Sequence, residues 1–252
     1  MSRIALITGG QQGIGLGIAE ALAGAGFTPV LAAQLPEDDV TVQAALTRLG
    51  PKARYVRHDL AEVEAVPALL DRIEAELGPV TTLVSNAGVP ARIRGDMLDL
   101  TPENFDFATD INLRGAFFLA QAVARRMLAL DGSDYRSIIF VTSVSAAMVS
   151  IERAEYCISK SAAAMMAQLF AVRLAPAGIS VFDIRPGIIE TPMTAGVADK
   201  YTARIEGGLV PAARWGQPSD IAEAVVPLAE GRMGFATGAV IPVDGGLSIP
   251  RL

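Results

Sequence analysis

Ile4-Ala5-Leu6-Ile7-Thr8-Gly9-Gly10-Gln11-Gln12-Gly13-Ile14-Gly15 decides how this chain is read. An apolar run ending in a threonine makes a buried strand. A glycine-rich turn follows, and a helical pattern runs from Ile14 to Ala25 and stops near Gly26. Glycine suits a backbone that takes positive φ or must let a ligand approach closely. Free N–H groups and the dipole at the start of the helix favour a pyrophosphate there. The spacing is G-x-x-x-G-x-G over Gly9, Gly13 and Gly15, not the G-x-G-x-x-G of the common dinucleotide fingerprint. The alternative is a plain strand-to-helix turn rich in glycine, and the rest of the chain decides between the two.

Downstream, short apolar runs alternate with longer helical patterns. Strands are expected at Val30 to Ala33, Arg54 to Arg57, Thr82 to Ser85, Ser137 to Thr142, Ile179 to Ile184 and Ala239 to Val243. Helices are expected over Asp39 to Leu49, Val63 to Leu77, Ile111 to Leu130 and Glu155 to Leu174. Two more begin at Pro102, after Thr101 as N-cap, and at Ser219. Strands that alternate with helices pair in parallel through right-handed crossovers. The fold expected is α/β, a single doubly wound Rossmann-type parallel sheet of about seven strands with helices on both faces. No linker, repeat or low-complexity tract interrupts it, so residues 1–252 read as one dinucleotide-binding domain. The segment from about 191 to 217 follows the sixth strand and has no clear strand of its own, which is where a substrate lid would sit.

Composition narrows the function classes. The 252 residues are 51% hydrophobic and 19% charged, enough apolar material for a sheet covered on both faces. A net charge of −6 argues against nucleic-acid and anionic-membrane partners. Cys157 is the only cysteine, so no intramolecular disulfide forms. Gly9 and Gly10 interrupt the first apolar run too early for a signal peptide, and no run is long enough to span a membrane. A cytoplasmic protein is expected. No His, Cys or carboxylate set shows metal-ligand spacing, so no metal is expected.

Further motifs follow the glycine turn in order: Asp59-Leu60, Asn86-Ala87-Gly88, Asn112-Leu113, Ser143, Tyr156 with Lys160, Pro186-Gly187 with Thr191, Arg214 to Asp220, and Asp244 to Gly246. In this set and spacing the chain resembles the short-chain dehydrogenase/reductase family along essentially its whole length. The resemblance implies an NAD(P)-dependent oxidoreductase that moves a hydride between nicotinamide and a carbonyl or secondary alcohol. It implies Ser143, Tyr156, Lys160 and Asn112 as the catalytic set, with Tyr156 as general acid and base. Lys160 would also hold the nicotinamide ribose, and Asn112 would link Lys160 to solvent. The cofactor would lie along Gly9, Gln11, Gln12, Gly13, Ile14, Gly15, Ala33, Gln34, Asp59, Leu60, Asn86, Ala87 and Gly88. Tyr156, Lys160, Pro186, Gly187, Ile189 and Thr191 would complete its site.

The chemistry needs these residue types. Tyr156 and Lys160 stand four apart on one helix, so both project from one face. A free tyrosine titrates near about 10; a neighbouring ammonium and an oxidised, cationic nicotinamide both favour the phenolate and lower that value. Ser143 can donate to the substrate oxygen as an oxyanion donor would. Each residue also has a plain structural reading: Tyr156 a core aromatic, Lys160 a solvated charge, Ser143 a turn residue, Asp59 a helix cap. His58 reads as a strand-end residue, Arg125 and Arg126 as surface charges, Cys157 as a buried thiol. A hydrolase built on Ser143 and His58 lacks the G-x-S-x-G elbow, since the sequence there is Thr142-Ser143-Val144-Ser145-Ala146. A non-catalytic cofactor-binding regulator is disfavoured by the intact catalytic set.

Substrate, cofactor and assembly are less sharply written. The pattern is closest to 3-oxoacyl-(acyl-carrier-protein) reductases, which implies an acyl-thioester substrate. Such enzymes dock an acidic carrier on basic residues, yet here the loop Asp131 to Arg136 carries two acids and Ala177 precedes Gly178. The alternative is a small free hydroxy acid, polyol or sugar derivative. Glu152, Arg153 and Glu155 form either a solvated rim or, through Arg153, a contact to a polar substrate. NAD is expected over NADP, because Gln12, Ala33 and Gln34 offer no cation for a 2′-phosphate and Glu37, Asp38 and Asp39 lie just beyond. A homotetramer is expected through the helices carrying Leu113, Phe117, Leu119 and Ala120 and carrying Ala162 to Met166, with the tail Leu247 to Leu252 at a second interface.

Overall fold

A computed structural model describes residues 3–132 and 134–251. Met1, Ser2, Ser133 and Leu252, which the domain, loop and tail expectations include, lie outside the described residues. The strands are β1 (Ile4–Thr8), β2 (Thr28–Ala33), β3 (Arg54–Arg57), β4 (Val80–Ser85), β5 (Arg136–Val141), β6 (Ile179–Pro186) and β7 (Val240–Val243). The helices are α1 (Gly13–Gly24), α2 (Val40–Leu49), α3 (Val66–Leu77), α4 (Pro102–Thr109), α5 (Ala116–Ala129), α6 (Ala154–Leu174), α7 (Pro192–Ala195), α8 (Ala198–Glu206) and α9 (Pro218–Ala229). All seven strands form one parallel sheet in the order β3-β2-β1-β4-β5-β6-β7. This is the doubly wound Rossmann-type architecture that the alternation predicts.

The sheet is apolar on both sides, and each strand serves both. Ile4 and Leu6 of β1 face the core shared with α3, α5 and α6, while Ala5 and Ile7 face the core under α1, α2 and α9. Ile138 and Phe140 of β5 alternate with Ile139 and Val141 in the same way. Strand order reverses between β1 and β4, so the crossovers diverge there and leave a crevice at the carboxyl ends of the strands. Thr8 and Asn86 fasten the two sides of that crevice. Thr8 Oγ1 accepts from the amides of Asn86 at 3.0 Å and Ala87 at 2.9 Å, and Asn86 Nδ2 donates to Thr8 O at 2.9 Å.

Several expectations are corrected. The helices foreseen at Pro102 and at Ile111 to Leu130 are one continuous run, with a π-helical turn over Asp110–Gly115 between α4 and α5. Segment 191–217 holds two short helices, α7 and α8, and a single bridge between Ile189 and Gly216. Leu119, Ala120, Ala163, Ala164 and Met166, expected at a subunit interface, are buried inside the chain. The outward apolar side chains of α5 and α6 are Met165, which the expectation included, together with Phe118, Leu128, Ile158, Leu169 and Val172, which it did not. In the tail, Leu247 packs with Ile205 and Val210 of this same chain, whereas Ile249 is exposed. Arg126 is no free surface charge: its guanidinium pairs with Asp71 and Glu74, each at 2.6 Å. Among the described residues, no helix is long and apolar enough to cross a membrane.

Candidate active site

A cavity of about 710 Å³ opens at the carboxyl ends of β1, β2, β4, β5 and β6. That volume suits a ligand of cofactor-plus-substrate size. Gly9, Gln11, Gln12, Gly13, Ile14 and Gly15 line one wall; Ala33, Gln34, Asp59 and Leu60 line the end beside β2 and β3. Asn86, Ala87 and Gly88 form the floor, and Ser143, Tyr156, Lys160, Pro186, Gly187, Ile189 and Thr191 line the far half. Asn112 stands off the cavity. Its Oδ1 accepts from Val89 N at 2.7 Å, and its Nδ2 donates to Val89 O at 3.0 Å and Ser159 Oγ at 3.1 Å. The π turn thus ties the floor of the cavity to α6, and no direct bond joins Asn112 to Lys160.

The glycine turn is built for close approach. A Cβ on Gly15 would fall 2.2 Å from the Gly9 carbonyl oxygen, so α1 starts directly against the turn only because Gly15 lacks a side chain, and Gly9 takes φ +66° with Asn86 and Ala87 close by. No side chain caps α1 and no acid occupies its first turn, which leaves its amides and positive dipole end facing the cavity. Gln11 is 8% exposed and its Oε1 is buried without a hydrogen-bond partner.

At the catalytic end, Tyr156 is half-buried and Lys160 is 6% exposed. Lys160 Nζ donates to Val141 O at 3.2 Å and lies 5.9 Å from the centre of the Tyr156 ring. Burial lowers Lys160 to about 8, against the pull of Asp183, which raises it. Burial pushes the Tyr156 phenol above its ordinary value, while a hydrogen bond with Ser143 and the charge of Arg153 pull it down. The direction is opposite to the sequence expectation, because in the protein alone desolvation of the phenolate outweighs the nearby cations. Ser143 lines the cavity, and its Oγ accepts from Ser145 N at 3.0 Å.

Other side chains do not stand where the sequence places them. Glu155 is 2% exposed and Oε1 lacks a partner, so it is no solvated rim residue. Asp39 caps α2 by accepting from Thr41 N at 2.8 Å, and Glu37 pairs with Arg72 at 3.0 Å; neither they nor Asp38 line the cavity. Asp59 both lines the cavity and caps its own turn, accepting from Ala61 N at 2.9 Å. His58 is buried, and burial lowers its basicity. Arg57, which sequence reasoning missed, donates from Nε to Gln34 O at 3.1 Å at the end of β2. Sequence reasoning also missed Arg94, Ser145, Lys200 and Arg204, which line the cavity beyond Tyr156. They sit on loops and on the short α8, where no periodic signal marks them.

Comparison with known proteins gives a consistent picture. The sequence pattern of the family described as enoyl-(acyl carrier protein) reductase matches residues 9–248. The 3-oxoacyl-(acyl-carrier-protein) reductase MabA of Mycobacterium tuberculosis is 34% identical over 255 residues, covering 99% of this chain and 94% of that protein. Among solved structures, a 3-oxoacyl-(acyl-carrier protein) reductase from Brucella melitensis in complex with NAD is 48% identical with a TM-score of 0.95, covering 100% of this chain and 99% of that one. A gluconate 5-dehydrogenase from Burkholderia cenocepacia in complex with NADP and tartrate is 32% identical with a TM-score of 0.90, covering 100% of this chain and 97% of that one.

Proposed function

The chain belongs to the short-chain dehydrogenase/reductase family, and from that premise we propose that it interconverts a carbonyl and a secondary alcohol with Tyr156 moving the proton. The observation that carries this reading is the convergence of Ser143, Tyr156 and Lys160 on a cavity whose opposite wall is the glycine turn. The turn fits a nicotinamide dinucleotide: the uncapped α1 amides, the side-chain-free Gly9 and Gly15, and the orphaned Gln11 Oε1 make a polar cradle a Cβ would fill. In this reading Gly9 to Gly15 hold the pyrophosphate, Asp59 and Leu60 the adenine, Ala33 and Gln34 its ribose. Lys160 with Pro186, Gly187, Ile189 and Thr191 holds the nicotinamide end. When bound, nicotinamide supplies the hydride for reduction and accepts it in oxidation.

The chain's own residues then handle the oxygen. In reduction, the Tyr156 O–H gives its proton to the substrate oxygen as negative charge develops there, and Ser143 Oγ donates a hydrogen bond to the same atom. Burial keeps Tyr156 in the proton-bearing form that reduction needs. Lys160, titrating at about 8, is largely charged at neutral pH and favours the phenolate left behind. Asn112 acts behind this pair as a positioning residue, holding the floor and α6 in register.

A 3-oxoacyl thioester is the substrate that the names of MabA and the Brucella protein point to. The surface of this chain favours a small free substrate instead, a hydroxy acid, polyol or sugar derivative. Asp131 and Asp134 are exposed in the loop before β5. Arg136 of that loop turns inward and donates from Nη1 to Met127 O at 2.6 Å. Ala177 stands before Gly178, so neither of these two positions offers an acidic carrier an outward cation, and the exposed Arg173 lies one turn earlier on α6. NAD(H) is the preferred cofactor in this reading, since Ala33, Gln34 and Gln12 line the cavity where a 2′-phosphate would need a cation and Arg57 does not line it. The working enzyme is cytoplasmic, one cofactor-binding domain over residues 1–252 with 191–217 as its lid, assembled as a homotetramer.

The test is a comparison of kcat/KM for carrier-bound and pantetheine-sized 3-oxoacyl substrates and for small ketones, with both cofactors at low ionic strength. Free substrates are expected to perform at least as well as the carrier-bound one, and NAD(H) at least as well as NADP(H). A carrier preference that vanishes at high salt would overturn the substrate reading. A tenfold advantage for NADP(H), about 1.4 kcal/mol, would overturn the cofactor reading.

A further inference from the structure

We propose that the substrate carries a carboxylate close to its reacting carbon and that Arg153 receives it. The proposal rests on the reading of Tyr156 and Ser143 as the reacting end of the cavity. The chain is acidic overall, at −6, yet beyond Tyr156 the cavity is lined by Arg94, Arg153, Lys200 and Arg204 against one carboxylate, Glu152. Glu152 is already paired with Lys200 at 3.4 Å. Among the described residues, no carboxylate lies within ion-pair distance of Arg94, Arg153 or Arg204. A cationic pocket in an acidic protein concentrates anions at its mouth.

Arg153 differs from the other two because it is held. It precedes α6, and its Nε lies 3.4 Å from Ser150 Oγ and its Nη2 lies 3.3 Å from Ser145 Oγ. Its guanidinium carbon is 5.3 Å from the centre of the Tyr156 ring. A guanidinium has five N–H donors, so these two bonds leave the Nη1 pair and one N–H of Nη2 without an acceptor. That free terminal edge matches the two oxygens of a carboxylate. Ser145, 4% exposed, backs the guanidinium from below. Because Arg153 lies against the ring of Tyr156, the anion it binds sits only a few bonds from the carbon that changes oxidation state. That geometry fits a short hydroxy acid and its oxo acid. It does not fit the phosphate of a pantetheine arm, which is far from the thioester. Arg94 and Arg204, both exposed, guide the anion in.

The test pairs short 2- and 3-hydroxy acids with the amides of the same skeletons. Binding to the full-length enzyme with NAD(H) is read by saturation-transfer NMR and calorimetry, alongside kcat/KM. We expect at least one acid to bind tenfold or more tighter than its amide, about 1.4 kcal/mol. Arg153→Gln is expected to collapse that ratio, Arg153→Lys to keep part of it, and the exposed Arg204→Gln to reduce it less. No acid binding more tightly than its amide overturns the proposal, whether or not either turns over. So does an Arg153→Gln variant that weakens acid and amide in equal proportion, the signature of a residue that only tunes Tyr156. A carboxylate preference without any nicotinamide-dependent turnover would leave the anion site standing and overturn the hydride-transfer reading instead.

Discussion

Lys160 keeps a buried ammonium against the Val141 carbonyl at 3.2 Å, with 6% of its surface exposed. Its proton is held less tightly in the folded chain, at about 8, than at the ordinary value of 10.5. The unfolded chain therefore binds more protons between those values, and stability rises with pH across that window. Below about 8 the folded protein carries the full cost of the buried charge, on the order of 3 kcal/mol. Lys160→Met is thus expected to raise the unfolding free energy near neutral pH by about 1–3 kcal/mol while turnover is lost, with the gain shrinking as pH climbs from about 8 toward 10.5. Urea unfolding of both proteins across that range checks it; a variant less stable than the parent at neutral pH contradicts it. At this scale the sequence shows residue identity and spacing but not desolvation. The spacing of Tyr156 and Lys160 was legible. The rise of the phenol was not, and neither was the burial of Glu155, whose charged neighbours Glu152 and Arg153 gave it the look of a rim.

Among the elements, the strands were the easiest to read, because residues that alternate between two apolar cores leave a continuous hydrophobic run. The structure lengthens some of them, β2 to Thr28 and β4 to Val80, where Pro29 and Thr81 blur the run. The π turn at Asp110–Gly115 was invisible, since one extra residue per turn leaves no compositional mark. α7 and α8 are too short to show helical periodicity. Of the side chains expected at a subunit contact, Leu119, Ala120, Ala163, Ala164 and Met166 face inward, while Met165 faces outward. α5 and α6 carry large apolar residues on their exposed as well as their buried sides, so pattern alone does not tell the inward face from the outward one. Ile158, Met165, Leu169 and Val172 recur at helical spacing along one exposed stripe of α6, and Phe118 is exposed on α5. Such a stripe on each copy suits a bundle of helices between subunits. Light scattering is expected to give a tetramer for the parent and smaller species for Leu169→Glu, with the circular dichroism of the helices retained. A parent that is monomeric at micromolar concentration refutes the assembly.

At the scale of the whole molecule, the reversal of strand order between β1 and β4 gathers residues from distant parts of the chain, Gly9 through Thr191, at one end of the sheet. The sequence announces this gathering because the motifs at Gly9, Asp59, Asn86, Ser143 and Pro186 each stand at or just after the end of a strand, and strand ends in a parallel sheet share one side. The cationic substrate end escaped it, because Arg94, Lys200 and Arg204 stand well beyond the ends of β4 and β6, where strand order places the connection but not its individual side chains. The central claim, hydride transfer with Tyr156 as the proton carrier, is tested most directly by label transfer. Parent and Tyr156→Phe enzymes are given cofactor deuterated at the nicotinamide C4 and a panel of ketones and oxo acids, and the products are read by mass spectrometry. The parent is expected to deliver one deuterium to the carbinol carbon from one face of the ring. Tyr156→Phe is expected to bind cofactor with near-parental Kd yet turn over roughly 100- to 10,000-fold more slowly. Unlabelled product from the parent, or Tyr156→Phe working at close to the parental rate, would contradict the account.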